Sequence, residues 1–153
     1  MISRDLDANF LVEIAIPKVI LGTSSLKGNL YSAIPYSQKL EIVKAGMENS
    51  GELSMFDTAG KYGAGLALET LGKCLRKLRV AKNEVIISNK LGWLRKPLIT
   101  PKPTFEEDVW IDIAYDAYQN ISFDRILECF EQGNELLEIS DAFWDEMKQM
   151  KLI

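Results

Sequence analysis

Residues 55–93 read MFDTAGKYGAGLALETLGKCLRKLRVAKNEVIISNKLGW, and this stretch decides the fold. Ser54 to Asp57 predicts a short strand. Gly60 to Gly65 is a glycine-rich turn. Leu68, Leu71, Leu75 and Leu78 then recur at spacings of three, four and three, which puts them on one face of an amphipathic helix. Val85-Ile86-Ile87 is apolar without alternation, as expected of a parallel strand covered on both faces. Strand, helix, strand is the repeating unit of an α/β fold with right-handed crossovers. Three polar residues stand where that unit exposes its upper edge. Asp57 closes the first strand, Tyr62 lies on the turn beyond it, and Lys90 closes the second strand.

The flanking chain extends the pattern. Val19-Ile20-Leu21 reads as a strand that enters the polar run Gly22-Thr23-Ser24-Ser25. Ser37 is the expected N-cap of a helix carrying Leu40, Val43 and Met47, and Asn49-Ser50-Gly51 is its stop signal. Leu94 to Pro103 carries three prolines and is expected to be a loop. Thr104 to Asn120 is acidic and aromatic without a clear period. Ser122 is placed to cap a helix bearing Phe123, Ile126, Leu127, Phe130 and Leu137. A short helix after Ser140, with Ile139 and Trp144 as a hydrophobic staple, completes the expected order of three strands and four helices, and a further short strand at Phe10–Ile16 is expected to precede it.

Composition bounds the function. With 153 residues, 47% hydrophobic and 26% charged, the chain suits one globular domain. The net charge of −4 argues against nucleic acid as a partner. The basic cluster from Lys73 to Lys82 reads as a solvated helix face. Cys74 and Cys129 are too far apart in sequence for a metal-ligand pair and are expected to be reduced, which suits a cytoplasmic protein. Met1 to Asn9 is polar, and no apolar run reaches membrane-spanning length, so neither a signal peptide nor a membrane partner is expected. The chain has no histidine, so acid–base chemistry falls to Asp, Glu, Lys, Tyr or Cys. The turn at Gly60–Gly65 lacks the Gly-Lys-Ser/Thr ending and the glycine spacing of a phosphate loop. Glu106, Glu107, Asp108, Asp112 and Asp116 lack the spacing of a calcium loop, and no metal site is expected.

Taken singly, the three polar residues have plain readings: Asp57 as a turn residue, Tyr62 as a cover on the core, Lys90 as a solvated strand end. Taken together they form a proton-transfer set. A phenol has a pKa near 10, a neighbouring ammonium favours its anion, and a carboxylate paired with that ammonium fixes its position.

The segments Leu21-Gly22-Thr23, Phe56-Asp57-Thr58-Ala59, Tyr62-Gly63 and Ser88-Asn89-Lys90 resemble the aldo-keto reductases, and the resemblance runs from about Val19 to Leu137. Asn89-Lys90-Leu91-Gly92-Trp93 and Ile126-Leu127-Glu128 resemble the branch that oxidises L-fucose, D-threo-aldoses or other aldoses at C1. The resemblance implies a (β/α)8 barrel. A complete one needs about 250 residues, so this chain is expected to form a partial barrel of three parallel βα units plus a C-terminal helix, a single incomplete domain over residues 1–153. It also implies that Tyr62 is the acid/base, that Lys90 and Asp57 tune it, and that Gly22, Thr23 and Asp57 lie beside the nicotinamide of NADP or NAD. The substrate would be a small-molecule carbonyl or sugar. The family's fourth catalytic residue is a histidine, which this chain lacks, and the later phosphate-binding loops are missing. Ile139 to Ile153 resembles the family's C-terminus, so the expected reading is a member with the later barrel deleted after Leu137. It would be an impaired oxidoreductase or a non-catalytic half-barrel. The open sheet edges predict a homo-oligomer.

Overall fold

Three parallel strands carry the upper edge on which those residues stand. They are β1 (Ile20–Gly22), β2 (Ser54–Ala59) and β3 (Val85–Lys90), with β2 in the middle. The computed structural model describes residues 17–27, 34–106 and 109–138, with the backbone alone at 82, 100–106 and 109–114. The expected strand at Phe10–Ile16, the helix after Ser140 and the staple lie outside the described residues. The register puts Gly22 beside Asp57 and Asp57 beside Ser88, while Ala59 lies beside Lys90. Asp57 therefore sits two residues inside the end of β2 rather than closing it.

Two helices follow the first two strands as crossovers: α1 (Tyr36–Glu48) and α2 (Leu66–Leu78). The start of α1 departs from expectation. Pro35, not Ser37, is its N-cap, with φ −66° and ψ 156°. The fixed φ of proline delivers the chain into the helix without a capping hydroxyl. Alternation along the strands decides the core. Phe56 points to the helices and is fully buried with Val43, Leu68, Leu71 and Cys74. Each such aliphatic or aromatic side chain contributes about 1.5–3 kcal/mol by leaving water. Ile20, Met55 and Ile86 share a row on the opposite face, and Ile20 remains 47% exposed. Cys74 and Cys129 are both free and buried, and burial raises the pKa of the Cys74 thiol.

The stretch after β3 corrects two expectations. Leu94 to Pro103 is not a loop, and Thr104 to Asn120 is not irregular. They form a long antiparallel ribbon of β4 (Trp93–Glu106) and β5 (Val109–Gln119), with an irregularity between Pro97 and Lys102. A two-stranded ribbon leaves about half of its N–H groups unpaired on its outer sides, and proline costs no ladder bond at such positions. The period-two signal was present in β5: Val109, Ile111, Ile113, Tyr115 and Ala117 are all apolar. Trp110 and Tyr118 on the alternate positions obscured it. The expected three strands and four helices thus become, among the described residues, five strands and three α-helices. No fourth parallel strand occurs among them.

The third helix, α3 (Phe123–Leu137), starts after Ser122 as expected. The Ser122 hydroxyl donates to Asn120 Oδ1 at 2.9 Å instead of capping the helix. The helix packs through Cys129, Gly133 and Leu137. No helix of the described residues is long and apolar enough to cross a membrane.

The closest approach in this packing is at Gly72 of α2. A Cβ there would lie 2.0 Å from the carbonyl oxygen of Leu137 and 2.7 Å from its carbon. The same carbonyl accepts from Arg76 Nη1 at 2.8 Å. In an open helix, replacing glycine with alanine gains roughly 0.5–1 kcal/mol. Here the added methyl meets backbone, so Gly72→Ala is expected to lower stability by about 1–3 kcal/mol, as overpacking does. Urea unfolding midpoints check the sign. A midpoint raised by Gly72→Ala would show that α3 does not seat on α2 in this way.

Candidate active site

The site is built on the ammonium of Lys90, the last residue of β3. An ammonium has three N–H donors and no acceptor. Three acceptors surround this one: Asp57 Oδ2 at 2.5 Å, Tyr62 Oη at 3.1 Å and the Thr58 carbonyl oxygen at 3.4 Å. Two come from β2 and one from the turn that follows it. Partial burial works against the charge, but Asp57 and Tyr62 together outweigh it, and Lys90 titrates above the ordinary lysine value. The Lys90–Asp57 pair is solvent-accessible, with side chains 50% and 36% exposed. It is placed for chemistry more than for stability.

Tyr62 makes two kinds of contact. Its ring packs against the core cluster, and its hydroxyl reaches Lys90. Because the ammonium can only donate, the phenol oxygen accepts from it, and the phenol proton is left to point elsewhere. The turn that sets this geometry is unusual. Gly63, Ala64 and Gly65 follow one another at φ 60°, 51° and 88°. Glycine tolerates that left-handed region at little cost; alanine does not.

The residues expected beside a nicotinamide behave differently from one another. Gly22 faces open space: a Cβ on it would meet nothing within 4 Å. It shares the inner face with Asp57, its register partner. Thr23 is fully buried. Its N–H and its Oγ1 both donate to the Asp57 carbonyl oxygen, at 2.9 and 3.0 Å. Its hydroxyl therefore holds Asp57 in place and does not face the open side.

Sequence reasoning missed Arg95. It lies on β4, with its side chain only 11% exposed. Its Nε donates to the Ala64 carbonyl oxygen at 2.6 Å and its Nη1 to Glu69 Oε1 at 2.6 Å. Its backbone N–H donates to Gln132 Oε1 at 2.8 Å, and its guanidinium stacks 4.2 Å from the Tyr115 ring centre. Beside it, Lys61 lies 4.7 Å from the Trp93 ring centre. No local spacing ties Arg95 to Glu69 or Ala64, so the sequence carried no signal for it. No group of acidic, cysteine or histidine side chains among the described residues could hold a metal ion.

The model of the aldo/keto reductase family matches residues 18–142. The chain belongs to this family. The fold agrees with that membership. The structure of the glycerol dehydrogenase AKR11B4 from Gluconobacter oxydans superimposes with a TM-score of 0.53 at 20% identity. The aldo-keto reductase AKR11C1 from Bacillus halodurans, in its holo form, gives 0.50 at 20%. Each alignment covers 78% of this chain and 32% of the solved one. The chain thus spans about a third of the length of the reductases it matches, and its three-stranded parallel sheet corresponds to part of a reductase barrel. No curated protein matches the chain.

The pH dependence of this site has a definite sign. The folded pKa of Lys90 lies above its unfolded value. The stability it contributes is therefore fully present at neutral pH and is lost as pH rises through the folded value. Asp57→Asn keeps the side-chain shape and removes the charge. It is expected to lower the Lys90 titration midpoint, read by NMR on isotope-labelled lysine Cε. An unmoved midpoint would show that Asp57 does not engage Lys90 in solution.

Proposed function

We propose that the chain carries the proton-transfer half of an NAD(P)-dependent oxidoreductase site of the aldo-keto reductase kind. One observation supports this above the others. Lys90 saturates its donors on Asp57, Tyr62 and the Thr58 carbonyl, which leaves the Tyr62 proton free for a substrate oxygen. Tyr62 is the general acid in carbonyl reduction and, as phenolate, the base in alcohol oxidation. The Lys90 ammonium stabilises the phenolate that forms, and Asp57 holds the ammonium on the inner face. NADP or NAD, when bound, supplies or accepts the hydride. The open space at Gly22 next to Asp57 suits its nicotinamide end, and Thr23 supports that place through the Asp57 carbonyl.

The substrate is proposed as a sugar or another small carbonyl or alcohol. L-Fucose and related aldoses oxidised at C1 are the first candidates, on the motif Asn89-Lys90-Leu91-Gly92-Trp93. A cytoplasmic setting goes with this reading. The chain spans about a third of each solved reductase it matches, and the activity of this stretch by itself is proposed to be impaired. A second reading, a non-catalytic interaction module, is favoured by the apolar surface left open. Ile20 is exposed on the inner face of the sheet, and Leu91, Ile121, Phe123, Ile126 and Leu127 line an apolar groove at the start of α3. A homo-oligomer would cover such surface.

The assay follows nicotinamide absorbance with a panel of aldoses, with mass by light scattering on the same sample. Tyr62→Phe keeps the ring and removes the transferable proton, so it is expected to lower the rate by about 10²–10⁴-fold, the usual worth of a general acid. Lys90→Met is expected to act in the same direction. Full activity in Tyr62→Phe would contradict the mechanism. No turnover in the parent chain, together with an oligomeric mass, would favour the interaction module.

A further inference from the structure

We propose that Arg95 is a positioning residue for Tyr62: from the β4–β5 ribbon it holds the left-handed turn that sets the phenol against Lys90. The inference rests on the reading of Tyr62 as the proton donor. The geometry behind it does not.

Between the end of β2 and the start of α2 the chain must lift Tyr62 over the sheet edge and then enter a helix. It does so through three consecutive residues in the left-handed region, Gly63, Ala64 and Gly65. The middle one has a Cβ, so that conformation is disfavoured unless something holds it. The backbone bonds of the turn and its entry into α2 run from 3.0 to 3.3 Å: Tyr62 N–H to the Ala59 carbonyl at 3.0 Å, Leu66 N–H to Gly63 and Glu69 N–H to Gly65 at 3.1 Å, and Ala64 N–H to Lys61 and Ala67 N–H to Tyr62 at 3.3 Å. The shortest contact on the turn comes from outside it, Arg95 Nε to the Ala64 carbonyl at 2.6 Å.

Arg95 is itself aimed from three sides. Glu69, in the first turn of α2, takes Nη1. The Tyr115 ring from β5 lies against the guanidinium. Gln132 of α3 takes the backbone N–H. The planar fork presents Nε to Ala64 and Nη1 to Glu69 from two separate nitrogens in fixed geometry, which a single ammonium does not reproduce. Gly65 leaves room for it: a Cβ there would come within 3.2 Å of Nη2. The ribbon is thereby part of the site, although it supplies no group that touches the reacting atoms.

Lys90 reports the effect. Asp57 and Tyr62 are the titratable groups that face it, so losing the Tyr62 contact lowers its titration midpoint. Arg95→Lys is expected to shift the Lys90 midpoint downward by an amount comparable with Tyr62→Phe, read by NMR on isotope-labelled lysine Cε in the full chain. Gln132→Ala loosens the same ribbon through its backbone anchor but spares the Ala64 contact, so it is expected to leave the midpoint in place. Ala64→Gly removes the conformational penalty, and combined with Arg95→Lys it is expected to restore most of the midpoint. If Arg95→Lys fails to fold, Glu69→Gln, which releases the aim of the guanidinium, is expected to give a smaller shift of the same sign. An unshifted midpoint in folded Arg95→Lys would overturn the proposal, as would equal shifts from Arg95→Lys and Gln132→Ala. In the absorbance assay Arg95→Lys is expected to lower kcat with little change in KM. A parent chain without turnover would count against the reading of Tyr62 as proton donor and leave the titration result standing.

Discussion

An ammonium at a strand end needs three acceptors, and the upper edge of this molecule is arranged to supply them. Lys90 can reach Asp57 and the Thr58 carbonyl only because β2 and β3 run parallel in a register that sets Ala59 beside Lys90. That register depends on Phe56 and Ile87 turning together toward the helices, so that Asp57 and Lys90 turn together away from them. The third acceptor, Tyr62, requires a turn that rises over the edge. The strained geometry of Gly63–Gly65 is the local consequence.

The same constraint orders the surroundings. Thr23 is buried with both of its donors on the Asp57 carbonyl, which ties the end of β1 to the residue that holds the ammonium. Arg95 ties the ribbon, α2 and α3 to the turn that holds the phenol. Each tie reaches a catalytic candidate through backbone. That is an effective route, because a backbone carbonyl cannot move without the side chain next to it. The partly buried Arg95–Glu69 pair matters more than the exposed pairs on α1 and α3, which are worth little.

Much of this could be read from the residues. The parallel βα units announced themselves through the leucine spacing of α2 and the unbroken apolar run of β3. The likeness to aldo-keto reductases on Phe56-Asp57-Thr58-Ala59 and Ser88-Asn89-Lys90 agrees with the family found. Asp57, Tyr62 and Lys90 do come together, and two of them are 33 positions apart in sequence. The ribbon was not legible, because three prolines in β4 outweighed the alternation of β5. Proline is a poor guide where a strand has an open side. The cap of α1 was misplaced for a related reason: Pro35 fixes the entry by its ring and needs no hydroxyl. Arg95 was invisible because its partners are joined only by the folded chain. Thr23 was assigned to the cofactor by resemblance, and its hydroxyl turned out to be spent on Asp57.

The chain corresponds to about a third of each solved reductase it matches, so the central claim is that this third holds a nicotinamide-end site on its own. Phosphate contacts are charge-assisted and individually strong, and the glycine-rich turn of this stretch lacks the pattern of a phosphate loop. Binding is therefore expected to be weak. Intrinsic tryptophan fluorescence titrated with NADPH and NADH tests the claim most directly, since Trp93 stands beside the Tyr62 turn. The account predicts saturable quenching well above the micromolar range, abolished by Gly22→Leu, which fills the open space next to Asp57. Quenching that Gly22→Leu leaves untouched, or no quenching at any cofactor concentration, would contradict it.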